Sequence, residues 1–391
     1  MPWQYTIDEL AHIIGAPPLE NDARFAAVSK DTRTLQAGEV FFAISGERFD
    51  ANAFVPDALD RGAVAAVTSV PGPGPRLVVD DPLAALQTFA AHHRTQYALP
   101  LIALTGSCGK TTAKDMIAAV LGAKYSVVKT QGNLNNEIGC PLSLLRIDDT
   151  VQRAVIEMGA NHGGEIAHLC RIAAPTESAI TMVAEAHLEG FGSIERVAKA
   201  KAEIVEGLPP SGRFYCNLDN PWCRRIGEGF SGPKTTFAKD DRSADVRLEG
   251  YRFDNTGEML LDIAPVGRLR LPLAVPAHAG NALLAVAVGL VHGIDIFEAP
   301  LRQACEAGPR VRVLRIGPLE VLDDTYNANP ASMAAALEAL AARAEREAGA
   351  HARIAALGEM LELGDTAAQW HHELGQTAAR SGITHLFARG P

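Results

Sequence analysis

The sequence predicts an α/β fold built round a central, mostly parallel sheet, and three observations carry that prediction. Residues 101–121, LIALTGSCGKTTAKDMIAAVL, pass from an apolar strand pattern through a glycine turn into a helical pattern. Between about 99 and 308, strand-like and helix-like patterns alternate, as they do when helices cover a parallel sheet. Three strand-like stretches there end in polar clusters, and open α/β sheets collect ligands at the carboxyl ends of strands.

Composition narrows the class. The chain has 391 residues, enough for two or three domains. Its 47% hydrophobic and 21% charged residues are those of a soluble globular protein. A net charge of −10 argues against a nucleic-acid surface. Six cysteines, at 108, 140, 170, 216, 223 and 305, form no CxxC pair and read as reduced thiols of a cytosolic protein. The N-terminal MPWQYTIDEL carries acids and no apolar stretch of a secretory signal. The longest apolar run, residues 282–291, stops at His292 and is too short to span a bilayer. The expectation is a cytoplasmic monomer without a nucleic-acid partner or membrane insertion.

Taken in order, residues 1–98 form a first unit, with strand patterns at 40–44, 63–68 and 77–79 and helical patterns at 51–61 and 83–97. The segment Pro71-Gly72-Pro73-Gly74-Pro75 reads as a loop tip. Residues 99–308 form the middle unit, with strands at 101–104, 153–158 and 178–183, a hairpin-rich part at 246–273 and a helix at 281–291. Gly308-Pro309 marks the next boundary. Residues 309–391 carry strand patterns at 311–316, 319–322, 354–357 and 384–388 and an alanine-rich helix from Ser332, few elements for a complete α/β domain.

The glycine turn, Thr105-Gly106-Ser107-Cys108-Gly109-Lys110-Thr111-Thr112, has the chemistry of a polyphosphate cradle. Gly106 and Gly109 let the backbone approach phosphate oxygens, and the amides of the helix start point at them. Lys110 can neutralise outer phosphates and the Thr111 hydroxyl can ligate Mg²⁺. The general motif has a further glycine where this chain has Leu104, so the loop is a shortened variant. Glu157, at a strand end, can share that Mg²⁺, or it pairs with a basic residue. His187 also sits at a strand end, as a ligand or a satisfied histidine. Lys199 and Lys201 lie among Glu195, Arg196 and Glu203, which by pattern alone is a solvated helix face. Asn133, Asn135 and Asn136 crowd one loop, suited to a polar ligand or to a plain turn. Asp324, Tyr326, Asn327 and Asn329 are many polar groups for a simple strand-to-helix turn, although Asp and Asn also cap helices. His371 and His372 read as surface residues.

Together and in this order these segments resemble the Mur ligases of bacterial cell-wall synthesis, over nearly the whole chain. The motifs are DTRTLQAGEVFFAISGERFD, TGSCGKTT, GNLNNEIGCPLSLL, VIEMGANHGGEI, AHLEGFGSIERVAKAKAEI, DDTYNANPASM and LGEMLELG. GNLNNE and DDTYNANP point to the branch that adds D-alanyl-D-alanine to UDP-MurNAc-tripeptide. The resemblance implies a three-domain architecture: a uridine-nucleotide-binding domain, a central P-loop-type domain and a Rossmann-like C-terminal domain. Family members usually run several tens of residues further, so that last domain is expected to be incomplete.

The resemblance also implies roles. ATP would be held by residues 105–112 with Asn281, Arg310 and Asp324. Two Mg²⁺ would be held by Thr111, Glu157, His187 and a carbamylated Lys201. Thr32, Glu47 and Arg48 would contact the uridine diphosphate, with Asn133, Asn135 and Asn136 nearer the sugar-peptide. Catalysis would rest on Lys110, Lys201, His187 and Arg310, with Tyr326, Asn327 and Asn329 as candidates from the third domain. Two departures stand out. The family's adenine-side motif appears as His278-Ala279-Gly280-Asn281, one residue short, and the glycine before the third-domain arginine is Pro309. The implied reaction is ATP-dependent amide formation through an acyl phosphate. The alternatives are another amide ligase of the superfamily, adding an amino acid or a glutamate to folate, and a silent uridine-nucleotide-binding module.

Overall fold

The computed structural model describes residues 3–19, 21–46, 49–186, 188–307, 311–344 and 352–389. Its first helix, Ile7–Ile14, has no counterpart in the sequence reading. The Thr6 hydroxyl accepts from the Glu9 amide while the Glu9 carboxylate accepts from the Thr6 amide. This reciprocal pair satisfies two amides that a helix start leaves over. Behind the helix, β1 (Val28–Ser29), β2 (Val40–Phe42), β3 (Ala65–Thr68) and β4 (Arg76–Val78) pair in that order, all parallel.

The helix Pro82–Thr95 then fastens this first sheet to the middle of the chain. The Trp3 indole donates to the Leu145 carbonyl at 2.6 Å, and the His93 ring bonds the Ile147 carbonyl at 2.8 Å. Burial pushes the His93 imidazole below its ordinary value, so a neutral ring meets that carbonyl. Arg94, 6% exposed, donates to the carbonyls of Ala173 and Leu99.

The central sheet has nine strands: β5 (Leu101–Thr105), β6 (Val127–Lys129), β7 (Arg153–Glu157), β8 (Glu177–Ile180), β9 (Arg213–Asn217), β10 (Lys234–Ala238), β11 (Val246–Phe253), β12 (Met259–Ala264) and β13 (Gly267–Leu271). Their spatial order is β6-β7-β5-β8-β9-β10-β11-β12-β13. Pairing is parallel from β6 across to β11 and antiparallel from β11 to β13, so the hairpin-rich stretch extends the same sheet. All five residues of β5 are buried, because Leu101 and Ala103 face one apolar cluster and Ile102 and Leu104 the other. A strand covered on both faces reads as an unbroken apolar run.

This order creates the site. The chain leaves β5 outward to β6, returns as β7 beside β5, and then crosses to β8 on the other flank. The carboxyl ends of β7, β5 and β8 therefore meet at a switch point. Leu104 is level with Glu157 and Thr105 with Ile180, so the glycine turn leaves between the other two strand ends.

In the last part, β14 (Arg312–Ile316) and β15 (Leu319–Asp323) are antiparallel, and β16 (Ile354–Leu357) and β17 (His385–Ala388) are parallel. His371 is engaged rather than a free surface residue: Nε2 accepts from the Met360 amide at 3.1 Å and Nδ1 bonds the Ala367 carbonyl at 2.7 Å. Among the described residues no helix is long and apolar enough to cross a membrane.

At the opposite ends of the strands a buried polar chain ties the sheet to the helix Ala279–Val291. The Tyr215 hydroxyl donates to Glu177, His292 Nε2 lies 3.1 Å from Glu177, and Arg153 donates to His292 Nδ1 at 3.0 Å. Burial pushes the Glu177 carboxyl up, but His292, Tyr215 and Arg213 outweigh it and hold it below its ordinary value. A carboxyl lowered in the fold contributes stability above its unfolded value and loses it as pH falls through the folded one. Glu177→Gln should therefore lower stability at pH 7 by roughly 1–3 kcal/mol. Thermal melts should show the gap between variant and wild type closing as pH falls below about 4; a gap unchanged to acid pH would contradict this account.

Candidate active site

A cleft of about 970 Å³ opens over the switch point. Its floor is the glycine turn and the start of the helix Lys110–Gly122, which begins at Gly109 without a side-chain cap. The first amides of that helix are thus left for a ligand, the arrangement that favours anions. Gly106 has φ 148°, and a Cβ there would lie 2.0 Å from the Thr181 hydroxyl. Gly109 has φ 81°, and its Cβ would lie 2.8 Å from the Asn281 side chain. Only glycine fits either position.

The segment after β8 staples the turn in place. The Ser107 amide donates to the Met182 carbonyl at 2.8 Å, and the Ser107 hydroxyl to the Ala184 carbonyl at 2.8 Å. The Thr181 hydroxyl donates to the Cys108 carbonyl at 2.5 Å, and Asn217 holds the Thr181 carbonyl at 2.7 Å. Lys110 folds back on the Gly106 carbonyl at 2.7 Å, at the rim of the cleft.

Glu157 is 1% exposed. Its Oε1 accepts from the Thr111 hydroxyl at 3.2 Å and from the Asn135 amide at 2.8 Å. Its Oε2 is buried and has no hydrogen bond among the described residues; the nearest cation is Lys114 Nζ at 3.7 Å. A carboxylate whose Oε1 meets the Thr111 hydroxyl at the start of a phosphate cradle has the oxygen chemistry that suits a hard divalent cation. No group of three or more His, Cys, Asp or Glu suited to a metal occurs among the described residues.

Lys201 corrects the pattern-based reading of a solvated face. It is 2% exposed, on the inward stripe of Ile194–Glu206 with Val197, Ile204 and Val205. The helix period puts residues three and four apart on one side, which overrides the charge of their neighbours. Among the described residues its amine reaches the Ala160 carbonyl, at 3.5 Å, and the Phe191 ring, at 5.5 Å. Burial first, then the charge of Lys110, lowers it to about 7, against the pull of Glu165 and Glu203.

The third part of the chain closes over the turn. Asn329 bonds the Cys108 side chain, and Asp324 faces the same thiol, which burial pushes up. Burial, and then Asp323, raise the Asp324 carboxyl to about 6. Tyr326, Asn327, Asn329 and Asn281 also line the cleft. So does His278, whose imidazole burial pushes down to about 4.

Of the predicted site residues, Ser107 to Thr112 of the glycine turn, Glu157, Asn133, Asn135, Asn136, Asn281, Asp324, Tyr326, Asn327 and Asn329 line this cleft, whereas Thr105 and Gly106 lie behind it. Two of the asparagines already have structural work: Asn135 donates to Glu157, and Asn136 caps the helix Gly139–Leu144 through the Gly139 amide at 2.9 Å. Thr32 is not at the cleft; it is buried in the first part of the chain, where its hydroxyl bonds Asp57. Glu47, Arg48, His187 and Arg310 lie outside the described residues. Sequence reasoning missed Lys114 and Thr181. Lys114 was legible as the residue one helical turn beyond Lys110; Thr181 carried no signal beyond its place after a strand.

Two family models match the chain: the Mur ligase middle domain over residues 104–289 and the Mur ligase glutamate ligase domain over residues 309–391. The UDP-N-acetylmuramoyl-tripeptide–D-alanyl-D-alanine ligase of Escherichia coli is 36% identical over 396 residues, covering 98% of this chain and 86% of that relative. A crystal structure of MurF from Acinetobacter baumannii superposes with a TM-score of 0.90 at 32% identity, over all of this chain and 87% of that one. MurF ligase from Thermotoga maritima in complex with ADP gives a TM-score of 0.82 at 27% identity, over 93% and 88% of the two chains.

The turn geometry yields a direct test. Gly106→Ala should weaken the binding of inorganic triphosphate or ADP at least about tenfold, because the loop must shift to clear Thr181. Equilibrium dialysis measures it, and undiminished affinity would show that the turn is not the anion site.

Proposed function

The chain belongs to the Mur ligase family, and we propose that it joins D-alanyl-D-alanine to UDP-N-acetylmuramoyl-tripeptide at the expense of ATP, a step of peptidoglycan synthesis. One observation carries the reading: the phosphate turn, Glu157 and the Asp324–Asn329 segment converge on a single cleft. Relatives from Escherichia coli and Bacillus subtilis bear that activity in their names, and one of the matching structures holds ADP.

The chemistry needs two anions, a carboxylate and a terminal phosphate, brought together. The turn amides and Lys110 would hold the phosphates and draw charge from them. The tripeptide carboxylate attacks the γ-phosphorus, ADP departs, and an acyl phosphate forms. The dipeptide amine then adds to the acyl carbon, a proton is lost, and phosphate leaves with the former carboxylate oxygen. Thr111 and Glu157 would hold Mg²⁺, which supplies charge neutralisation at the phosphates. Arg310, from outside the middle part, is proposed to stabilise the transferred phosphoryl group, a role that in other enzymes is worth about 10³–10⁵ in rate.

A second Mg²⁺ with His187, and a carbamate on Lys201, complete the proposal. The support for the carbamate is that a buried amine lowered to about 7 is largely neutral above that pH, the form that adds carbon dioxide. We divide the work among residues 1–98 for the uridine nucleotide, through Thr32, Glu47 and Arg48, 99–308 for ATP, and 309–391 for closure. Asn133, Asn135 and Asn136 would meet the sugar-peptide between the first two. Because the reaction draws on ATP and a nucleotide-linked sugar, we assign it to the cytoplasm.

Release of ADP is the test. It should require the uridine substrate, and D-alanyl-D-alanine should be incorporated in step with it; ADP release with a different amine, and none with the dipeptide, would overturn the substrate assignment. Lys201→Ala should lose most activity, and depletion of carbon dioxide should slow the wild type. A fully active Lys201→Ala would remove the carbamate.

A further inference from the structure

Lys114 stands beneath the cleft, outside its lining, and no step above uses it. It is 1% exposed, although a lysine is rarely buried without a partner that compensates its charge. Three oxygens surround its ammonium: the Gly132 carbonyl at 3.2 Å, Asp115 Oδ1 at 3.6 Å and Glu157 Oε2 at 3.7 Å. Asp115 is already met by Lys129 at 2.7 Å, so the oxygen most in need of Lys114 is Glu157 Oε2, which no donor reaches among the described residues.

The placement follows from the helix. Lys110 and Lys114 are four residues apart on Lys110–Gly122 and so share a face. Lys110 reaches up to the phosphate turn. Lys114, one turn on, reaches under the carboxylate and across to Gly132, at the root of the loop that carries Asn133, Asn135 and Asn136. That loop in turn donates to the other oxygen of Glu157 from Asn135.

We infer that Lys114 is a positioning residue: it holds Glu157 with Oε1 toward Thr111 and Asn135, and pins the asparagine loop to the same carboxylate, so that cation site and substrate loop are set together. This deepens the nucleotide and magnesium reading and rests on it. Lys114 touches neither ATP nor substrate. Its effect reaches them through Glu157 and through the loop.

The test reads binding rather than turnover. ADP binding to the full chain is followed by titration calorimetry at a series of Mg²⁺ concentrations. Wild type should show Mg²⁺-dependent ADP binding; if it does not, the magnesium reading itself has failed. In Lys114→Met the Mg²⁺ concentration for half-maximal enhancement should rise about tenfold, the usual scale for losing a residue that orients a ligand. ADP affinity without Mg²⁺ should stay unchanged, and Lys114→Arg, which keeps the cation, should recover most of the loss. Lys114→Gln takes the place of Lys114→Met in the same assay if thermal melting shows that the latter does not fold. A folded neutral variant with a Mg²⁺ dependence at or below that of wild type overturns the inference while leaving the magnesium reading intact.

Discussion

A carboxylate that is 1% exposed must be compensated from inside the protein, and the compensation of Glu157 organises this molecule. Thr111 comes from the helix start, Asn135 from the loop after β6 and Lys114 from the next helical turn. The Thr130 hydroxyl takes the Glu157 backbone amide at 3.0 Å. Two segments, the helix Lys110–Gly122 and the stretch after β6, are therefore fixed to one strand end. The glycine turn is held as firmly from the other flank, by Thr181 and by the carbonyls of Met182 and Ala184. A phosphate arriving at the turn meets amides and a cation site that are already in place, which is how preorganised electrostatics outperforms water.

Lys201, buried on the helix Ile194–Glu206, meets the opposite fate. Two acids are near it, but their oxygens are committed elsewhere. Glu203 accepts from the amides of Gly164 and Ala167, at 2.7 and 3.0 Å, and Glu165 from that of Asn161 at 2.8 Å. Those bonds cap the start of the helix Glu165–Ala173, whose own boundary residue, Gly164, has no side chain to do so. With the acids occupied, burial and Lys110 decide the state of the amine. One buried group is surrounded by partners, while among the described residues the other meets a single carbonyl and is held well below the ordinary lysine value.

What the sequence made legible follows this division. The glycine turn could be read because a strand, a cradle and a helix need different residues at fixed spacing, and the three polar strand ends were visible for the same reason. Lys201 was obscured by counting charge along the chain, where Glu195, Arg196, Lys199 and Glu203 dominate; the spacing Val197, Lys201, Ile204 and Val205 carried the better signal. The Thr6–Glu9 capping pair was present in the letters and went unread. The place of Lys114 one helical turn beyond Lys110 was legible, but its role was not, since that depends on Glu157, 43 positions away in the chain but adjacent in space. Thr32 shows the reverse limit, because sequence gives it a hydroxyl but not its distance from the cleft.

The position of the third part of the chain adds a constraint on the proposed chemistry. It touches the middle of the molecule at two places: Asn329 at Cys108, and the Glu362 carbonyl at the Glu189 amide, 3.1 Å away. Moving it aside would break both contacts and expose the phosphate turn to water. An acyl phosphate needs that cover, because water competes with the amine for the acyl carbon. Yet Tyr326, three residues before Asn329 in sequence, is 63% exposed, so the cover is open beside it. A cover that rests on Cys108 and is open at Tyr326 shields one side of the turn while leaving a route for a second substrate, an arrangement that suits an acyl-phosphate ligase.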